Sequence, residues 1–150
     1  DPLGDCCIIG VSLGYWVACT KGVIMLVLAG LPLRSEERRD RAPLVVAGGT
    51  CAYNSEPLAP FVDLFVLGEG EEVTLEYIAL YRRARDEDWT KEELLREAAR
   101  IPGIYVPSFY EPVYRPDGTL EEMRIREGSG APELVRQRVV EHMNNTSFQA

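Results

Sequence analysis

Three short segments carry residues suited to holding a ligand against a main chain: Ser12-Leu13-Gly14, Gly48-Gly49-Thr50 and Gly68-Glu69-Gly70, the last followed by Glu71 and Glu72. Each follows an apolar run with strand character, and glycine there lets a flat or bulky group approach the backbone closely. In parallel sheets ligands bind outside the carboxyl ends of the strands, at a switch point. If these strands are adjacent, the three loops share one edge. Each loop also has a plainer reading. Glycines at strand ends serve tight turns, the Ser12 hydroxyl can cap the following helix, and Glu69, Glu71 and Glu72 suit the start of a helix.

Other chemistry is poorly provided for. His142 is the one histidine, in a polar region, and it reads as a surface residue. No Ser-His-Asp or Cys-His set can be built from it. There is no GxGxxG after the first strand and no P-loop. The four cysteines, Cys6, Cys7, Cys19 and Cys51, have no CxxC spacing. Cys6 and Cys7 are adjacent, so on a strand they point to opposite faces and cannot easily share a metal. They read as small buried hydrophobes in a reduced, cytoplasmic compartment. No catalytic residue and no metal ligand is assigned, and no turnover is expected of this chain.

The elements that would position these loops follow from the hydrophobic pattern. Residues 5–11 form a short, continuously apolar run, the pattern of a strand covered on both faces. Residues 15–30 read as a helix that is apolar on most sides. Residues 43–47 and 63–67 are two further buried strands, with a short helix opened by Ser55 and Pro57 between them. A helix starts after Gly70 and runs to about residue 85, with Val73, Tyr77, Ile78 and Tyr81 on one face. Thr90 and Glu93 form a capping box for the next helix, stopped by Pro102 and Gly103. Residues 104–107 suggest a fourth strand. Residues 110–114 and 120–126, joined by Pro116-Asp117-Gly118, read as a β-hairpin. Residues 135–140 suggest a short helical stretch in a polar tail. Alternating strands and helices mark parallel βαβ units.

Composition bounds the answer. A chain of 150 residues, 46% apolar and 27% charged, is long enough for one globular domain. Its net charge of −8 repels phosphate backbones, so nucleic acid is not an expected partner. The one basic cluster, RSEERRDR at residues 34–41, is diluted by three acids and reads as a solvated loop. The most apolar run, residues 22–33, falls short of the about 20 residues a membrane span needs, and reads as a buried core helix. No membrane association is expected. The chain starts at Asp1 without a signal peptide and reads as a piece of something longer.

The segments IIGVSLGY, VVAGGTCAYN and DLFVLGEGEE together resemble the cobalamin-binding-like domain that precedes the barrel of many radical S-adenosylmethionine proteins. The similarity covers residues 3–85. AGLPLRSEER and IPGIYVPSFYE look like a subgroup whose N-terminal region extends into an insert, with the barrel beginning soon after a segment similar to RQRVVEHM. The resemblance implies an α/β, Rossmann-like (flavodoxin- or cobalamin-binding-like) three-layer domain with a mainly parallel sheet over residues 3–108. A β-hairpin extension over 109–128 and a linker over 129–150 would follow, leading toward a radical S-adenosylmethionine domain, its expected partner.

Under that resemblance Ser12 takes the place of a serine that meets the nucleotide tail of cobalamin, where a hydroxyl can donate and accept. Leu13 and Gly14 complete that strand end. Gly48, Gly49 and Thr50 match the loop that lets the tail lie against the sheet, and Gly68, Glu69, Gly70 and Glu71 line the same edge. The [4Fe-4S] cluster and S-adenosylmethionine would belong to the downstream barrel of a parent oxidoreductase or methyltransferase-like enzyme. The Asp-x-His-x-x-Gly loop by which such domains ligate cobalt is missing. The readings that follow are a cofactor-handling domain that orients cobalamin, and a degenerate scaffold or interaction module that binds none. In the second, Tyr105, Phe109, Tyr110 and Tyr114 around the hairpin form a contact surface or simply pack on the sheet.

Overall fold

The computed structural model describes residues 3–40 and 42–139. Its main sheet holds β1 (Ile8–Ser12), β2 (Leu44–Gly48), β3 (Leu64–Val66) and β4 (Ile104–Tyr105) in the order β1-β2-β3-β4. The first three strands are parallel, with Ile8 opposite Leu44 and Val46 opposite Leu64, and β4 is antiparallel to β3. Among the described strands the order never reverses, so the shared edge is a continuous row of strand ends and not a crevice at a reversal. A separate antiparallel hairpin joins β5 (Tyr110–Tyr114) to β6 (Leu120–Ile125).

Side chains alternate across the sheet because successive residues of a strand point to opposite faces. Ile9, Val45, Ala47 and Phe65 pack with Cys19 and Leu26 of α1 (Trp16–Leu28) on one face. Ala52, Leu58 and Val62 of the link between β2 and β3 lie on that same face. Leu64, Val66 and Ile104 pack on the other against Val73 and Tyr77 of α2 (Gly70–Asp86) and Leu95 and Ala98 of α3 (Lys91–Ala98). The result is three layers. The expected capping box holds: the Thr90 hydroxyl accepts from the Glu93 backbone N–H while the Thr90 N–H donates to the Glu93 carboxylate. Glu71 and Glu72 fall in the first turn of α2 and Arg83 and Arg85 in its last, both favourable to the helix dipole.

Several expectations are corrected. The link between β2 and β3 is two 3-10 turns, Thr50–Tyr53 and Glu56–Leu58, and Ser55 makes no side-chain cap. Cys6 and Cys7 precede β1 and are exposed, whereas Cys19 is buried and Cys51 half-buried. The apolar run from Gly22 is helical only to Leu28 and is mostly not buried: Leu26 faces the core, but Ile24, Met25, Val27 and Leu28 are all exposed, Leu28 at 81%. Residues 34–41 are not simply a solvated loop. Arg38 is 2% exposed, pairs with Asp63 at 3.0 Å, and donates to the carbonyls of Pro32, Leu33 and Phe61. Its neighbours hide a guanidinium that charge counting places in solvent. Residues 135–139 are not helical; the rest of that expected stretch, and His142, lie outside the described residues.

Candidate functional site

The three loops do meet along one edge, as their adjacency in the sheet requires. Ser12 ends β1 opposite Gly48 and is exposed. The helix that follows is capped at Tyr15, in extended conformation and with no side-chain cap, so capping is not what Ser12 does. Leu13 turns inward to 1% exposure. Its N–H donates to the Gly48 carbonyl at 2.7 Å and its carbonyl accepts from Cys51 N–H at 2.8 Å. The Thr50 hydroxyl donates to the Gly14 carbonyl at 3.0 Å. These bonds stitch the first loop to the second. Gly49 has φ 111°, and a Cβ there would come within 2.9 Å of the Leu13 carbonyl oxygen.

The third loop is bound to residues the sequence reading assigned to a polar tail. The Arg138 N–H donates to the Leu67 carbonyl at 2.8 Å, and the Arg138 carbonyl accepts from Glu69 N–H at 3.0 Å. Gly68 and Arg138 form a parallel bridge, extending the sheet by one position. Leu67 N–H in turn donates to the Gly103 carbonyl at 2.7 Å. Gly68 has φ 101° and a Cβ there would overlap the Arg138 carbonyl; Gly103 has φ 92° and a Cβ there would meet the Arg138 Cβ at 2.9 Å. Both positions need glycine because a second backbone lies against them.

Side chains hold this segment in place. The Arg138 guanidinium donates to the Glu72 carboxylate and to the Glu76 carboxylate, each at 2.8 Å. The hydrogen bond to Glu72 holds the guanidinium above its usual range, aided by the charge of Glu76. The Tyr53 hydroxyl donates to the Gln137 side-chain oxygen at 2.8 Å. Residues 137–138 thus form a strap from the turn after β2 to the first two turns of α2. Gly70 starts α2 with only ordinary contacts. One carboxylate oxygen of Glu71 is buried and has no hydrogen-bond partner among the described residues.

Sequence reasoning found the three loops but missed Arg138 and Gln137. No local pattern marks them, since Arg138 and Glu72 are 66 residues apart in sequence. The available signal was indirect: Gly68 and Gly103 flank two strands, as if both made room for one neighbour. Among the described residues no group of three or more His, Cys, Asp or Glu side chains could hold a metal, and no helix is long and apolar enough to cross a membrane.

The aromatic cluster near the hairpin is mostly internal. Phe109 is fully buried, and Tyr105 is buried between Phe65 and Tyr110, with ring centroids 6.1 and 5.2 Å away. Tyr114 is the exposed member.

Cobalamin, which the resemblance implies, can be tested against this edge. At Gly49 and Gly68 the space that glycine opens is taken by the chain's own backbone, so those two positions do not fit a cofactor tail in this arrangement. Ser12, Gly14, Gly49 and Thr50 are exposed along this edge, whereas Gly68, Glu69 and Gly70 are half-buried.

Fold and edge together define an α/β domain with a mostly parallel sheet, a separate hairpin, and strand ends laced together by their own chain. A family model described as radical SAM proteins, N-terminal, matches residues 1–107, and the chain belongs to that family. No curated protein and no solved structure matches the chain.

Proposed function

We propose that this domain serves its radical S-adenosylmethionine protein as a scaffold. The strand-end edge seats the segment that leads on toward the barrel. The observation that carries this reading is the double glycine notch: Gly68 and Gly103 both receive the backbone of Arg138, and Glu72 and Glu76 hold its side chain. A cleft kept open for a cofactor has no use for a strand of its own chain across one of its loops. The iron–sulfur cluster and S-adenosylmethionine belong, under this reading, to the barrel, and the domain fixes where that barrel begins.

The rival is the cofactor-handling domain, with cobalamin held at Ser12 and Gly14. A titration of the full-length protein with hydroxocobalamin separates the two. The scaffold reading expects no saturable binding, and expects Gly68→Ala to free the strap, seen as loss of hydrogen-exchange protection at the Glu69 and Arg138 amides. Saturable binding that Ser12→Tyr abolishes would overturn it. So would a Gly68→Ala protein whose strap stays protected.

A further inference from the structure

The outer edge of β1 and the flank of α1 form a second surface, which meets the strand-end edge at Ser12. In a parallel ladder alternate residues of a strand bond to one neighbour. Cys7 and Leu13 face β2, since the Cys7 carbonyl accepts from Leu44 N–H and Leu13 N–H donates to Gly48. The same alternation turns Ile9 and Val11 toward β2 and leaves the N–H and C=O groups of Ile8, Gly10 and Ser12 facing outward. Among the described residues no strand pairs with them. An open groove of about 230 Å³ runs beside this edge, lined by Ile9, Gly10, Ser12, Ala18 and Met25. Elsewhere on α1, Val17, Ile24, Val27 and Leu28 are exposed.

Neither element is written for solvent. Exposed edge strands are usually guarded by charge, proline or a bulge, and IIGVS has none of the first two. A helix apolar all round is normally buried, and α1 carries one charged residue, Lys21. We propose that this surface receives a βα unit of the same polypeptide. Its strand would pair parallel with Ile8, Gly10 and Ser12, and its helix would lie beside α1.

Three observations select that occupant. An unpaired ladder asks for an extended backbone, and fully apolar strands belong inside parallel sheets. The steps β1 to β2 and β2 to β3 run in one direction across the sheet, with both connections on the α1 face. A right-handed connection into β1 from a strand outside it therefore also lies on that face, beside α1. The chain already enters β1 from there: Leu3, in the turn before the strand, packs on the α1-side core. A second copy is disfavoured because each chain carries a net charge of −8.

Hydrogen exchange on the full-length protein tests this. The Gly10 and Ser12 amides should be as protected as those of Ile9 and Val11, at least about 100-fold slower than an open chain, independent of protein concentration. Fast exchange at Gly10 and Ser12 overturns the proposal. So does protection that disappears on dilution as a dimer dissociates, which would make a second copy the occupant. As an independent readout, Leu28→Asp should lower the melting temperature of the full-length protein; an unchanged value means that Leu28 faces water and the proposal is wrong.

Discussion

Asp63 is the residue on which the amino-terminal edge of the sheet depends. Its side chain is fully buried, accepts from the Val45 N–H at 2.7 Å and from the Ser35 hydroxyl, and pairs with Arg38 at 3.0 Å and Lys91 at 2.6 Å. Lys91 also donates to the Ser35 and Arg38 carbonyls. One carboxylate thus ties β2, the loop after α1 and the start of α3 together. Removing it leaves two cations with no counter-charge in a dry site, a loss of about 3–5 kcal/mol for a broken buried pair. Asp63→Ala should therefore lower the urea midpoint severely, and a midpoint near that of the parent would show that the cluster is not a stabilising centre. The aspartate stood in plain view at the head of an apolar strand. Its partners did not, because pairing of Arg38 with Asp63 depends on how the loop folds back, which charge counting over residues 34–41 does not reveal.

Two tyrosines make opposite predictions. The Tyr77 hydroxyl is buried without a hydrogen-bond partner among the described residues, so Tyr77→Phe should stabilise by about 1 kcal/mol. The Tyr105 hydroxyl donates to Glu56 at 2.6 Å, so Tyr105→Phe should cost about 1 kcal/mol. Burial raises the pKa of both, aided by the charge of Asp63 at Tyr77 and by the bond to Glu56 at Tyr105. A tyrosine that stays protonated when folded but ionises near pH 10 when unfolded contributes stability that is complete below about pH 10 and is lost as pH rises toward the folded value. The urea midpoint should fall between about pH 10 and 11, and fall less steeply in Tyr77→Phe. A flat profile over that range would contradict it.

At the scale of elements, α3 rests on a reciprocal cap that four residues spell out locally. Thr90→Ala should cost about 1 kcal/mol, measured by chemical unfolding, and a change within error would mean that packing of Leu94 and Leu95 alone holds the helix. This cap, the start of α2 at Gly70, the hairpin and the three parallel strands were all legible, because each is set by periodicity or by chemistry within a few residues. The 3-10 link between β2 and β3 was not: Ser55 and Pro57 are ordinary helix-opening residues, but the chain turns back into the core at once, at Leu58 directly after Pro57 and again at Val62. The exposure of α1 was illegible for another reason. An apolar helix predicts burial, and the described residues cover only one side of it.

For the molecule as a whole, the strand-end edge was correctly located, while what lies on it was not read. Ser12, Gly48 and Gly68 identify strand ends by their own types, but the strap that crosses the third of them is supplied from the far end of the chain. Arg138→Ala should loosen the strap without unfolding the sheet, since Glu72 and Glu76 are half-exposed and the pairing is one of the last contacts among the described residues. Faster exchange confined to residues 67–69 and 137–139 is the expected pattern, and a global loss of protection would show that the strap is integral to the core.

The notch formed by Gly68 and Gly103 also has a consequence for biosynthesis. Synthesis runs from the N-terminal end, so β1 to β4 and both notch glycines have all been made before residue 138. Until it emerges, the end of β3 lacks the donor that the Leu67 carbonyl meets in the finished fold. The nascent protein therefore passes through an interval in which another extended segment can pair there first, and the speed of translation through the hairpin sets how long that interval lasts.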